Sequence, residues 1–243
     1  MKKKSPSMAE AAKQALAEVN GPIKQNELIE KVLEIYPSSA KKPEAGIRRH
    51  LRTEEVGRSI VFLDEETVIP LRVGAPGVRF RIPLSRWLVN KGVLPVFPAF
   101  QGWISHTDES NSINFMDEQG NPLPINIVSL KYRISGLKED IEADAFELRH
   151  WFQKHNARRN DSILVTVESW EPKGFRLEIE PEKKRRIHRK EIEVKNQELS
   201  DIFFEMLETA TSEQIYINKS VLTAYLRLPD PRGYPGDHWT AVL

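Results

Sequence analysis

The sequence predicts a multi-domain α+β protein with an N-terminal helical unit, a central small β-barrel carrying one helix, and a mainly helical C-terminal segment. Three observations carry this reading. Apolar residues recur at three-and-four spacing up to Leu51, short runs rich in β-branched residues follow from Val78 to Ile179, and helical periodicity returns after Glu198. The run Val73-Gly74-Ala75-Pro76-Gly77 breaks the first texture from the second, and a basic run follows Pro181. Domains are therefore expected at 1–72, 78–181 and 182–243.

In the first domain, Ser7 is placed to cap a helix with Glu10 in its first turn and Met8, Ala11, Ala12, Ala15, Leu16 and Val19 inward. Gln25-Asn26-Glu27 opens a second helix, with Leu28, Ile29, Val32, Leu33 and Tyr36 inward and Pro37 as its stop. Lys41-Lys42-Pro43-Glu44 starts a third, with Pro43 in the first turn and Ala45, Ile47 and Leu51 assigned to the core. Ser59–Leu63 and Thr67–Leu71, joined by Asp64-Glu65-Glu66, read as a hairpin. Three helices plus a hairpin is the plan of a winged helix-turn-helix.

The run Ser5-Pro6-Ser7-Met8-Ala9-Glu10-Ala11-Ala12-Lys13, together with Lys42-Pro43-Glu44-Ala45-Gly46-Ile47-Arg48-Arg49-His50-Leu51, resembles the HARE-HTH type of winged helix. That resemblance covers about a quarter of the chain. It rests on the Ala-Ala helix, the Gly21-Pro22-Ile23 turn and the apolar spacing after Pro43; the Gly-x-Phe-x-Leu ending of many members is lacking. It implies duplex-DNA binding through the third helix.

Candidate strands of the second domain are Val78–Ile82, Asn111–Met116, Ile125–Leu130, Ser162–Glu168 and Gly174–Ile179, with a turn at Asp117–Pro122 and a helix from Asp144 to about Asn156. Strands at this spacing around one helix suggest a small barrel. Phe80-Arg81-Ile82-Pro83, Ile113–Gly120, Ser135-Gly136-Leu137, Trp151-Phe152 and Arg159–Val165 are similar, in that order, to the DNA-binding pseudobarrel of plant auxin-response-type transcription factors and EcoRII-type restriction endonuclease effector domains. Asn160 stands where that pattern usually has glycine. The resemblance implies two DNA-gripping arms: Arg79, Arg81, Ser85 and Arg86 in one, and Asn126, Ser129, Lys131 and Arg133 in the other.

In the C-terminal segment Glu198–Leu207 reads as a helix, Gln214–Asn218 as strand-like and Lys219–Leu226 as another helix. The apolar ending His238–Leu243 suggests a piece that has been cut short.

Composition bounds the chemistry. The 243 residues are 40% hydrophobic and 29% charged, which fits packed cores and not wholesale disorder. With no cysteine, disulfide scaffolds, thiolate zinc sites, iron–sulfur clusters and cysteine nucleophiles are excluded. No apolar run approaches a membrane span, and Met1-Lys2-Lys3-Lys4 leads into Ser and Pro, so a soluble intracellular protein is expected; the DNA-binding reading carries with it the expectation of a cytoplasmic protein of bacterial type.

The charge is nearly balanced, 36 Lys+Arg against 35 Asp+Glu, so local distribution carries the argument about partners. Arg48, Arg49 and Arg52 fall on the third helix, with Lys41 and Lys42 at its approach and Arg58 before the hairpin. In a winged helix this element enters the major groove, where Arg reads guanine or grips phosphate. The same residues also suit a solvated helix face. Lys183, Lys184, Arg185 and Arg186 open a second basic run, readable either as a backbone-contacting segment or as a connector. Trp87, Trp103 and Trp151 read as core or rim packing.

Enzyme signals are thin. Glu193-Val194-Lys195 fits a short nuclease-like pattern but lacks an upstream acidic partner in register. The six histidines form no His-x-His or helical His-x-x-x-His pair, and no glycine-rich phosphate loop appears. The expectation is duplex-DNA binding without catalysis, cofactor or metal. The alternatives are a protein-docking regulatory module and the recognition part of a restriction-type nuclease.

Overall fold

In the computed structural model, which describes residues 6–38, 40–104, 113–132, 141–210 and 217–243, the chain is a mixed α+β structure of small sheets and helices. It divides into two units, 1–76 and 77–243.

The first unit begins with α1 (Met8–Glu18). Ser7 Oγ accepts the Glu10 N–H at 3.2 Å while the Ser7 N–H donates to Glu10 Oε2 at 2.6 Å, closing a reciprocal cap. Then come β1 (Ile23–Lys24), α2 (Gln25–Ile35), α3 (Pro43–Leu51), α4 (Glu54–Gly57), β2 (Ile60–Phe62), β3 (Thr67–Pro70) and α5 (Leu71–Gly74). The strands form an antiparallel sheet in the order β1-β3-β2. The β2–β3 turn is local: Asp64 Oδ1 accepts the N–H groups of Glu66 and Thr67 at 2.8 and 2.7 Å, which holds its carboxyl below the usual range.

Ala11, Ala12, Ala15, Leu28, Val32, Ile47, Leu51, Val56, Ile60 and Val68 are buried in one core. Ala45, expected among them, is exposed, because α3 turns only the Ile47/Leu51 stripe inward. Long-range contacts finish what local signals started. Arg72 donates through Nη2 to the carbonyls of Leu16, Ala17 and Val19, satisfying the open end of α1.

The second unit runs β4 (Arg79–Pro83), α6 (Arg86–Lys91), β5 (Val93–Pro95), α7 (Val96–Ala99), β6 (Ile113–Met116), β7 (Ile127–Tyr132), β8 (Ile141–Glu147) and α8 (Arg149–Lys154). It continues through β9 (Ser162–Trp170), β10 (Lys173–Glu180), α9 (Glu182–Ile187), α10 (Arg189–Glu208), α11 (Ile217–Arg227) and α12 (Trp239–Val242). One sheet has the order β4-β9-β10-β6, antiparallel except for the parallel β10–β6 pair; the other is antiparallel β5-β8-β7. Among the described residues no strand pairing joins the two, so the sheets do not close a barrel.

Aromatic side chains from both sheets meet in one interior. Phe80, Phe115 and Phe175 of the first sheet and Phe146 of the second surround Phe100, with ring centroids 5.2–5.9 Å away in edge-on packing. Trp103 stacks on Phe80 at 5.2 Å, and Trp151 is also buried, while Trp87 is 41% exposed.

The helix expected from Asp144 starts later, at Arg149. Residues 141–147 are instead the middle strand of the second sheet, hydrogen-bonded to both β5 and β7, and that two-sided pairing overrides the weak strand preference of Ala, Asp and Glu. The expected turn at Asp117 is present. Burial pushes the Asp117 carboxyl up, but N–H donors from Asn121 and Gln119 outweigh it and the net shift is downward.

Residues 182–243 lie within this second unit. The basic run, readable either as a backbone-contacting segment or as a connector, is helical, in α9 and the start of α10. Ile217 and Asn218, expected in a strand, begin α11, and residues 214–216 of that expectation lie outside the described residues.

His238 caps α12 from a buried position. Its Nε2 lies 3.3 Å from the Ala99 carbonyl, which can only accept, so the proton sits on Nε2 and Nδ1 accepts from Thr240. Burial pushes its pKa down to about 4. The unfolded chain, near 6.5, takes the proton first, so this site's stability is whole above pH 6.5 and falls as pH drops toward 4, by about 3 kcal/mol in all. The urea-unfolding free energies of the wild type and His238→Gln are expected to converge by that amount over this window. A pH-independent gap between them rules out the histidine as its source.

Candidate nucleic-acid interface

The first unit gathers basic side chains around α3. Between Lys41 and Arg58 the chain carries six Lys and Arg against three Glu. Lys41, Lys42, Arg48, Arg49, Arg52 and Arg58 are all exposed. They are not equally free to move. Arg48 donates to Gln25 Oε1 at 2.6 Å and to Asn26 Oδ1 at 2.5 Å, so it ties α3 to the first turn of α2. Arg52, just past the last turn of α3, holds its guanidinium 5.2 Å over the Phe62 ring of β2. The hairpin thus fixes one of the arginines that helix periodicity alone leaves undirected.

The expected arms of the second unit separate into different environments. Arg86 is exposed in the first turn of α6, where Ser85 is occupied as the cap, accepting the Leu88 N–H at 3.2 Å. Lys131 is exposed on β7, and Arg133 lies outside the described residues. Ser129 and Asn126 bond to the carboxylates of Glu142 and Glu147. Arg79 is half-buried on the outward face of β4.

Arg81 is a correction. It was expected to face a ligand, but it is fully buried: its guanidinium pairs with Glu180 at 3.0 Å, donates to the Gly236 carbonyl at 3.1 Å and lies 5.0 Å over the Tyr234 ring. The loop 234–237 covers the outer sheet face at this position. Glu180, also fully buried, accepts the Tyr234 hydroxyl, and burial followed by this carboxylate raises the tyrosine pKa well above its usual value. Asp237 extends the network to Arg185 at 2.7 Å and Asn196 at 3.0 Å.

Arg185 therefore serves the interior of this unit more than its surface. Its neighbours differ: Lys183 is exposed, Lys184 pairs with Glu178 at 3.0 Å and Arg186 with Glu182 at 2.7 Å. The nuclease-like triplet is on α10, where Glu193 pairs with Arg189 and Lys195 with Glu198 inside the helix. Among the described residues, no group of three or more His, Asp or Glu side chains is placed to hold a metal, and no helix is long and apolar enough to cross a membrane.

Sequence reasoning missed the supports Gln25, Asn26 and Phe62, and also Arg176 and Arg232, which share a cleft with Arg79. Alternation in Lys173–Glu180 places Arg176 on the polar face of its strand, but its neighbours depend on strand register. No family model matches the chain, and neither a search of curated proteins nor one of solved structures found a match.

Proposed function

We propose that this chain binds duplex DNA, with α3 of the first unit as the element presented to the groove. The observation that carries the reading is the exposed basic set Lys41, Lys42, Arg49 and Arg52 about one helix, with Arg52 steadied by Phe62. Such a set suits phosphate neutralisation and bidentate contact to guanine. The element order, three longer helices and the four-residue α4 followed by a hairpin whose sheet is completed by β1, supports a winged-helix reading of this unit. In the second unit, two sheets backing one aromatic interior support a pseudobarrel reading, with Arg86 and Lys131 as its exposed basic residues.

The test is fluorescence anisotropy of the full chain on random-sequence duplex DNA across a salt series. Each phosphate neutralised contributes about −0.9 to the slope of log K against log salt. Arg49→Ala with Arg52→Ala is expected to weaken binding and flatten the slope by about 2. An unchanged slope in this double variant removes α3 from the interface. No binding by the wild type even at low salt turns the reading toward a protein partner.

A further inference from the structure

The outer face of the four-stranded sheet holds an open cleft of about 460 Å³ that the α3 reading does not use. Register places Arg79 of β4, Thr166 of β9 and Arg176 of β10 in one cross-strand row, while Phe80, Val165 and Phe175 face the interior. At about 4.8 Å per strand spacing, the two arginine backbones stand about 10 Å apart with the threonine between them. Arg232 adds a third guanidinium from the loop after α11. Gly77 lies beneath it with φ +86, and a Cβ there would meet the Arg232 Cδ at 3.1 Å, so the glycine leaves room for that side chain.

Two acidic residues around the cleft are paired: Glu178 with Lys184 at 3.0 Å, and Glu168 with the Arg176 Nε at 2.9 Å, while the buried Glu118 Oε2 in the cleft lining meets no hydrogen-bond donor among the described residues. The Arg79 Nε is also buried and meets no acceptor among the described residues, and a buried donor of this kind is costly unless something supplies the missing oxygen.

We propose that the cleft of Arg79, Thr166, Arg176 and Arg232 is a phosphate-binding site, with the Arg79 Nε and the outer edge of Arg176 donating to phosphate oxygens and Thr166 adding a hydroxyl. Guanidinium groups match the tetrahedral oxygens of phosphate in paired hydrogen bonds, and an open mouth admits a phosphate attached to a larger molecule. The phosphate belongs either to a small free ligand or to a nucleic-acid backbone.

Inorganic pyrophosphate titrated calorimetrically into the full chain tests the small ligand, and anisotropy on random duplex DNA across a salt series tests the backbone. Arg79→Gln and Arg176→Gln are assayed separately, with tryptophan-monitored urea unfolding as the check on folding. Arg176 is exposed, so its variant keeps the test open where Arg79→Gln folds poorly.

Pyrophosphate binding that weakens about tenfold in each variant supports a small-ligand site. A DNA salt slope flattened by about 1 in each, without pyrophosphate binding, supports a backbone site. Pyrophosphate binding unchanged by both variants, or neither binding nor a slope change, overturns the proposal. The pyrophosphate titration decides the cleft even where the chain fails to bind DNA through α3.

Discussion

Arg81→Ala is expected to destabilise the second unit by about 3–5 kcal/mol, the scale for breaking one side of a buried ion pair. Both side chains of the Arg81–Glu180 pair are wholly out of solvent. Truncating the arginine leaves the Glu180 carboxylate in the interior with the Tyr234 hydroxyl as its remaining donor, and it strips the Gly236 carbonyl of its partner. The readout is convenient. All five tryptophans, Trp87, Trp103, Trp151, Trp170 and Trp239, belong to this unit, so tryptophan fluorescence in urea follows its unfolding within the intact chain.

Removing both charges, as in Arg81→Met with Glu180→Gln, is expected to cost less than the sum of the two single changes, because neither leaves a bare charge behind. Additive losses mean that the pair is not coupled. Since the same network reaches Arg185 and Asn196 through Asp237, the Arg81→Ala chain is also expected to loosen α9 and α10, visible as faster amide exchange there.

Phe100→Ala is expected to cost a comparable 3–5 kcal/mol. Phe100 is fully buried and makes ring contacts with Phe80, Phe115, Phe146 and Phe175. It therefore touches both sheets, which among the described residues share no strand pairing and depend on side-chain packing to stay together. A large cavity at this point strands four rings at once, and rigid strands on both sides limit how far the site can collapse. Phe100→Leu, which keeps most of the volume, is expected to lose clearly less. Equal losses in the two variants mean that edge-on aromatic geometry, more than filled volume, stabilises the interior. A loss below about 1.5 kcal/mol for Phe100→Ala means that the sheets are held elsewhere.

The candidate DNA interface was partly legible in the sequence and partly not, and α3 shows where the boundary falls. The arginines at 48, 49 and 52 follow from helical spacing after Pro43. That Arg48 is tied to Gln25 and Asn26, and that Arg52 is held over Phe62, depends on how α2 and the hairpin pack around the helix. Sequence spacing names the side chains on a face; neighbours distant in sequence decide which of them are restrained. The second unit makes the same point more sharply. Arg79 and Arg81 are two residues apart on one strand and share its outward face, yet one lines an open cleft and the other is sealed beneath the loop 234–237. No local pattern distinguishes them.

What the sequence determined by itself are the features whose causes lie within a few residues. The Ser7–Glu10 cap, the Asp64 turn and the Asp117 turn arise from side chains bonding backbone two to four positions away, and Pro43 starts α3 through its fixed φ and missing N–H. The tertiary structure alone decided the rest. It made residues 141–147 a strand through pairing on both edges, and it satisfied the end of α1 with Arg72 from the far end of the unit. It also kept His238 neutral by burial and turned Arg81 from a surface cation into half of an internal ion pair. Register, desolvation and ion pairing are set by groups brought together across long stretches of chain, and their energies depend on that assembly, not on the residues taken in order.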